Sequence, residues 1–132
     1  MKKVMVVEDD ESFQFLCEMV FRRSGRNVTL IQAFDGLEAI EKLASMDELP
    51  DLILLDINMP RMNGHEFLEA YAKRNPSKIP VVAMLTSSDQ QRDRQNAMSY
   101  SFVKDYILKP LEAKHIEAFE AMCEELSQVE VN

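Results

Sequence analysis

The sequence alternates five times between a short apolar segment and a segment with helical periodicity, and this alternation constrains its fold more than any other feature. The apolar segments are predicted strands at residues 4–7, 28–31, 52–55, 81–85 and 102–108. Such alternation requires a parallel sheet with helices on both faces and right-handed crossovers. We therefore predict an α/β fold, a single flavodoxin-like (βα)5 doubly wound parallel sheet with the strand order 2-1-3-4-5.

The helical segments carry apolar residues three and four positions apart, which predicts that these residues face the core. In the first helix they are Phe13, Leu16, Cys17, Val20 and Phe21. In the last helix they are Ile116, Phe119, Cys123 and Leu126. Gly25 is predicted to end the first helix in a left-handed conformation, and Asp35 is a predicted N-cap of the second.

Composition and charge exclude several classes of protein. The 132 residues are 46% hydrophobic and 29% charged, which is typical of one globular domain. A net charge of −8 argues against nucleic acid as a direct partner, and no apolar stretch approaches the roughly 20 residues of a membrane span. Cys17 and Cys123 belong to no CxxC pattern. We interpret them as small core residues in a reducing compartment, and expect a cytoplasmic protein without membrane insertion.

Polar residues stand directly after the predicted strands. Glu8 and Asp9 follow the first strand, Asp56 the third, Thr86 the fourth and Lys109 the fifth. The carboxyl ends of parallel strands meet at one edge of the sheet, and ligands bind at that edge. We therefore expect these five side chains to form one site.

The chemistry of this site is that of a metal and a phosphoryl group. Three carboxylates in one cleft repel one another, and a hard divalent cation such as Mg²⁺ relieves the repulsion. The carbonyl of Asn58 is placed to add a further oxygen ligand. Lys109 offers a charge and Thr86 a hydroxyl to phosphoryl oxygens. Asp56 is then positioned to accept a phosphoryl group in line, because carboxylates can act as phosphoryl acceptors.

Four motifs carry a family resemblance over essentially all 132 residues. They are Val6-Val7-Glu8-Asp9-Asp10, Leu54-Leu55-Asp56-Ile57-Asn58-Met59-Pro60 with Asn63-Gly64, Leu85-Thr86-Ser87, and Tyr106-Ile107-Leu108-Lys109-Pro110-Leu111. In this order and at these spacings the chain resembles the response-regulator receiver domains of two-component signalling systems, of the stand-alone, chemotaxis-regulator-like kind.

The resemblance implies a role for each matched residue. Asp56 would accept the phosphoryl group from a phosphohistidine, and Lys109 would pair with it. Mg²⁺ or Mn²⁺ would be held by Glu8, Asp9, Asp56 and the backbone carbonyl of Asn58.

The resemblance also implies a switch and its output. Thr86 would bind a phosphoryl oxygen, and Tyr106 would then rotate inward. The Lys109-Pro110 bond would be cis. The signal would be read on the face formed by the fourth helix, the fifth strand and the fifth helix.

The fourth helical segment departs from the family pattern. Residues 88–99 contain no apolar residue before Ala97, and Ser87 or Ser88 is the predicted cap. Few buried contacts imply low local stability. We therefore predict a helix that is short, shifted or mobile.

The leading interpretation is a receiver domain spanning residues 1–132, with no output domain. It would be a phosphoacceptor switch rather than an enzyme, although it would assist its own phosphorylation and dephosphorylation. The expected partners are a sensor histidine kinase or a histidine phosphotransfer protein, and a downstream protein target. The chain would be a monomer or a weak dimer. His65 and His115 are expected to be exposed and are not phosphodonor candidates.

Other functions remain open. The chain could shuttle phosphate to a histidine phosphotransfer protein. An aspartyl-phosphate phosphohydrolase typically has a second Asp two residues after the nucleophile, where this chain has Asn58. A flavodoxin-like cofactor binder would carry a Gly/Ser/Thr-rich loop after the first strand, which is missing here. An interaction module that has lost phosphorylation would not be expected to keep the acid pair, Asp56, Thr86 and Lys109.

Overall fold

Five parallel strands form a single sheet. The computed structural model describes residues 1–74 and 80–131, with side chains up to residue 125. The strands are β1 (Lys3–Val7), β2 (Thr29–Ala33), β3 (Leu52–Leu55), β4 (Val81–Thr86) and β5 (Val103–Leu108). Their order in the sheet is β2-β1-β3-β4-β5. The predicted flavodoxin-like fold and strand order are confirmed.

In the described part of the chain, five helices connect and follow the strands. They are α1 (Glu11–Arg23), α2 (Gly36–Ser45), α3 (Gly64–Arg74), α4 (Gln91–Met98) and α5 (Ala113–Val131). The predicted second and fifth strands began one residue too early. Among the described residues, none of the helices combines the length and the apolar character that a membrane crossing requires.

The core has two layers, one on each face of the sheet. Alternate residues of β1 enter different layers, with Val4 and Val6 on one side and Met5 and Val7 on the other. Every residue of β3 and β4 is buried. This explains why these strands are continuous apolar runs rather than alternating ones, because a central parallel strand is covered on both faces.

Helix α1 corrects one sequence expectation. Leu16 was expected in the core, but it is 56% exposed, whereas Gln14 is buried. The Gln14 amide donates to the backbone carbonyls of Val6, Glu8 and Ala33 at 2.9, 3.1 and 3.1 Å. These carbonyls lie where β1 and β2 end, and the helix presents a donor to them instead of Leu16.

Two predictions at the ends of helices are confirmed. Gly25 has a φ of 75° and Asp35 caps α2 through Glu38 N, both as expected. Cys17 is buried and Cys123 half-buried, and neither forms a disulfide. Leu126 lies outside the described side chains.

Helix α4 is short, as predicted, with eight residues. The predicted serine cap is wrong, because α4 begins after Gln90 without a side-chain cap. The Ser88 hydroxyl donates instead to Asp93 inside the helix.

Candidate functional site

The carboxyl edge of the sheet brings together the residues that the sequence places there. The register pairs Val7 with Leu55, so the residues that follow them, Glu8 and Asp56, are neighbours. Asp56 N donates to Val7 O at 3.1 Å. At the same edge, between β4 and β5, Lys109 N donates to Thr86 O at 2.9 Å. Backbone hydrogen bonds therefore position the edge residues independently of their side chains.

Three carboxylates form a compact acidic cluster. Glu8, Asp9 and Asp56 each offer an oxygen, and these oxygens lie within 4.8 Å of one another. Glu8 and Asp56 are buried, and Asp9 is exposed. Asn58 lies two residues beyond Asp56, exposed in the loop that leads to α3. This oxygen donor set fits a hard divalent cation such as Mg²⁺, which favours one or two carboxylates, carbonyls and water.

Lys109 partly neutralises the cluster. Its ammonium lies 2.6 Å from Glu8 Oε2 and 3.2 Å from Asp56 Oδ2. It also sits 4.3 Å from the centre of the Phe13 ring, on which a cation is stabilised by the π electrons. A single cation thus faces two buried carboxylates, and the cluster keeps an excess of negative charge.

This excess is visible in the pKa of Glu8. Burial and the neighbouring Asp56 together raise the pKa of Glu8 to about 8, although the hydrogen bond from Lys109 lowers it. Burial alone would lower the pKa of Lys109, but its hydrogen bond to Glu8 and the charges of Asp56 and Glu8 raise it overall. A bound divalent cation would favour the ionised form of Glu8 and so oppose this upward shift of its pKa.

The loop after β3 closes tightly against Asp56. Ile57 N donates to Asp56 Oδ1 at 2.8 Å, and Gly64 N donates to Ile57 O at 2.8 Å. A Cβ on Gly64 would collide with the backbone carbonyl oxygen of Asp56. The close approach of α3 to Asp56 therefore requires the glycine of the Asn63-Gly64 pair.

Sequence reasoning missed the ion pair between Arg61 and Asp35. Arg61 Nε and Nη2 donate to the two Asp35 carboxylate oxygens at 2.6 and 3.1 Å. Arg61 has a φ of 61°, and Gly36 N donates to the Met62 carbonyl at 2.9 Å. Burial would raise the pKa of Asp35, but Arg61 and the backbone of α2 lower it overall. This ion pair connects the loop after β3, which contains Asn58, to the N-terminus of α2.

The two predicted switch residues are both buried. Thr86 is fully buried, and its Oγ1 accepts a hydrogen bond from Ser88 N at 3.2 Å. Tyr106 is also buried, and its hydroxyl donates to Ser88 O at 2.8 Å. The resemblance implied inward rotation of Tyr106 after phosphorylation, whereas here Tyr106 already lies inward, buried, while Asp56 is unmodified.

The two histidines correct another expectation. His65 and His115 were expected to be exposed, but both are half-buried. His65 Nε2 lies 2.9 Å from Asp93 Oδ1, and His115 Nδ1 accepts from Glu112 N at 2.9 Å. The polar surface of α4 supplies the hydrogen bonds that draw His65 inward.

Comparison with known proteins agrees with this geometry. A family model described as the response regulator receiver domain matches residues 4–119. The chain is 34% identical over 117 residues to the alkaline phosphatase synthesis transcriptional regulatory protein PhoP of Bacillus subtilis, covering 89% of this chain and 46% of that protein. It is 31% identical over 117 residues to the sensor histidine kinase CheAY of Helicobacter pylori, covering 86% of this chain and 14% of that protein. The chain thus spans less than half the length of these curated relatives.

Solved structures show the same fold over nearly the whole chain. A two-component response regulator from Cytophaga hutchinsonii has a TM-score of 0.87 at 27% identity, covering 95% of this chain and 98% of that one. The bacteriophytochrome response regulator RtBRR has a TM-score of 0.74 at 32% identity, covering 92% of this chain and 76% of that one. With its fold, its acidic cluster and the match over residues 4–119, the chain belongs to the response regulator receiver domain family.

Proposed function

We propose that this receiver domain accepts a phosphoryl group from a phosphohistidine onto Asp56, and that Mg²⁺ or Mn²⁺ is bound by Glu8, Asp9, Asp56 and the carbonyl of Asn58. The observation that carries the proposal is the position of Asp56. Its buried carboxylate has two further carboxylates within 4.8 Å and the Lys109 ammonium at 3.2 Å. An acceptor oxygen, a metal-binding donor set and a cation for the phosphoryl group thus meet in one cleft.

The residues of this site divide the reaction between them. An Asp56 carboxylate oxygen forms a bond to phosphorus while the P–N bond of the phosphohistidine breaks, and the imidazole leaves with the electron pair. When bound, the divalent cation neutralises the charge on the phosphoryl oxygens. Lys109 contacts Asp56 and pairs with the transferred group. Most of the catalysis is then positioning and charge neutralisation, as is general for phosphoryl transfer.

Phosphorylation would bias a two-state equilibrium at the edge of the sheet. The phosphoryl group adds roughly −1.5 to −2 charges where one carboxylate stood. Thr86 would donate its hydroxyl to the group, and this would favour the inward position of Tyr106 that the structure shows. The α4-β5-α5 face would then be read by a partner protein, in keeping with a net charge of −8 that disfavours nucleic acid.

The proposed partners are a sensor histidine kinase or a histidine phosphotransfer protein as donor, and a separate protein target. This role makes the domain a signalling switch rather than an enzyme with a released product. We place it in the cytoplasm, because both cysteines are free thiols, as expected of a reducing compartment.

Intact-mass measurement tests the proposal. The protein is incubated with acetyl phosphate and Mg²⁺, and the wild type should gain the mass of one phosphoryl group, whereas Asp56→Asn should not. EDTA should abolish the gain. A wild type that gains no mass, or an Asp56→Asn variant that gains it undiminished, would refute the assignment. Rapid multiple turnover of phosphate esters would point to a phosphohydrolase instead.

A further inference from the structure

The fourth helix is attached to the domain mainly by polar contacts. Of the eight residues of α4, all of them described, only Ala97 is buried. Its N-terminus has no side-chain cap. Apolar burial therefore contributes little to the position of α4, and its polar side chains make the contacts that hold it.

Asp93 is the centre of these contacts. Its Oδ1 lies 2.9 Å from His65 Nε2 on α3, and its Oδ2 accepts from the Ser88 hydroxyl at 2.6 Å. Asn96, one turn further along α4, has its amide nitrogen 3.2 Å from His65 Nδ1. We call the first two contacts the His65–Asp93–Ser88 bridge. It joins α3, α4 and the loop after β4.

The bridge is complete with a neutral histidine. Imidazole with its proton on Nε2 donates to Asp93, and its free Nδ1 accepts from the Asn96 amide. This tautomer is inferred from the hydrogen-bond partners. The hydrogen bonds from Ser88 and His65 lower the pKa of Asp93, so Asp93 accepts both bonds as a carboxylate. Hydrogen bonds to a charged acceptor are stronger than neutral ones.

Ser88 connects this bridge to both switch residues. Its backbone N–H donates to Thr86 Oγ1 at 3.2 Å, and its carbonyl accepts from the Tyr106 hydroxyl at 2.8 Å. Arg94 of α4 also lies over the Tyr106 ring, 5.5 Å from its centre. The inward position of Tyr106 thus depends on where Ser88 and α4 are held.

We propose that the His65–Asp93–Ser88 bridge holds the Ser88 carbonyl in place, and thereby sets the fraction of molecules in which Tyr106 lies inward before any phosphorylation. His65 and Asp93 are then positioning residues of the switch. Without the bridge, the Ser88 hydroxyl keeps only the long 3.4 Å contact from Gln90 N at the start of α4, and the acceptor of the Tyr106 hydroxyl is held less firmly. The link from Tyr106 to phosphorylation rests on the proposed function, whereas the link from the bridge to Tyr106 does not.

Fluorine NMR of the full chain labelled with 3-fluorotyrosine tests the proposal without any phosphoryl donor. The chain has three tyrosines, and Tyr106→Phe assigns the resonance of interest. His65→Leu removes the donor at similar size, and should lower the inward-to-outward ratio of Tyr106 about tenfold, equivalent to about 1.4 kcal/mol. His65→Gln keeps an N–H near the Nε2 position and should restore the wild-type spectrum.

Controls separate the bridge from a general loss of structure. Ser88→Ala removes one hydroxyl from a loop and should also lower the inward-to-outward ratio of Tyr106. It provides the test if His65→Leu folds poorly. Lys73→Ala breaks an exposed ion pair with Glu69 on α3 and should change nothing. The proposal is overturned if Tyr106 keeps its wild-type resonance in both folded His65→Leu and Ser88→Ala, or if His65→Gln behaves like His65→Leu.

Addition of beryllofluoride with Mg²⁺ as an analogue of the phosphoryl group links the bridge to function. If both proposals hold, the analogue returns Tyr106 inward in His65→Leu, but at a concentration up to about tenfold higher than the wild type needs, because the apparent affinity is reduced in proportion to the inward fraction. If the analogue binds neither protein while His65→Leu still moves Tyr106, the function assigned to Asp56 fails and the bridge stands. If the analogue binds both with equal affinity although Tyr106 has moved, the bridge positions Tyr106 but its link to phosphorylation is refuted.

Discussion

In the absence of metal, the free energy of unfolding of Glu8→Gln should rise relative to that of the wild type as the pH increases. In the unfolded chain Glu8 ionises near its ordinary pKa of 4.5, whereas in the fold its pKa is about 8. Between these values the folded state keeps a proton that the unfolded state has lost. Folding stability therefore falls with increasing pH over this window, by up to about 1.4 kcal/mol per pH unit.

The size of the effect follows from the two pKa values. From about pH 5 to about pH 7.5, the free energy of unfolding of the wild type should fall by roughly 3 kcal/mol relative to Glu8→Gln. Above about pH 8 the difference should level off, because Glu8 is then ionised in both states.

Urea unfolding followed by far-ultraviolet circular dichroism measures the effect, because the chain contains no Trp. Both proteins are unfolded in EDTA at several pH values. Glu69→Gln, which removes an exposed carboxylate, is the matched control. If the difference between Glu8→Gln and the wild type is independent of pH, Glu8 is ionised throughout as the partner of Lys109, and the argument from burial is wrong.

Three further variants test other parts of the structure by urea unfolding. Gly64→Ala should lose about 1–3 kcal/mol, because its Cβ would displace the backbone of Asp56, and it should bind Mg²⁺ more weakly in a calorimetric titration. Gln14→Leu should lose about 1–3 kcal/mol, because it removes a buried amide donor from carbonyls at the ends of β1 and β2, of which Ala33 O would keep only the hydrogen bond from Glu8 N. Asp35→Asn should be less stable than the wild type at neutral pH, and the difference should narrow as the pH falls below about 3.8. The folded state lowers the pKa of Asp35, so its stabilising effect is complete above the unfolded value and is lost during acidification through the folded value.

Each of these variants has an outcome that contradicts its premise. Wild-type stability in Gly64→Ala would mean that the loop moves away without cost. Unchanged stability in Gln14→Leu would mean that water reaches those carbonyls. A difference between Asp35→Asn and the wild type that stays constant through acid would show that Arg61 does not favour the ionised form of Asp35. Arg22→Ala, which removes an exposed ion pair with Glu18, is the matched control for the loss of the Arg61 contact.

The sequence alone determined the fold and the location of the candidate site. Strands buried on both faces must be continuously apolar, and helices between them must be amphipathic, so both signals are local and readable. Parallel strands end at one edge, and this places Glu8, Asp56 and Lys109 together without any knowledge of packing. Asp35 as an N-cap and Gly25 as a left-handed residue were equally local, since each depends on one turn of backbone.

Only the tertiary structure decided which side chains meet across the chain. Gln14 is buried in place of Leu16, and its amide donates to carbonyls of two different strands. Arg61 and Asp35 are 26 residues apart, and His65 and Asp93 are 28 residues apart. No periodic pattern records such pairs, because a hydrogen bond between distant elements depends on how the elements pack. The sequence of α4 therefore predicted weak attachment, whereas in the structure the His65–Asp93–Ser88 bridge connects α4 to α3.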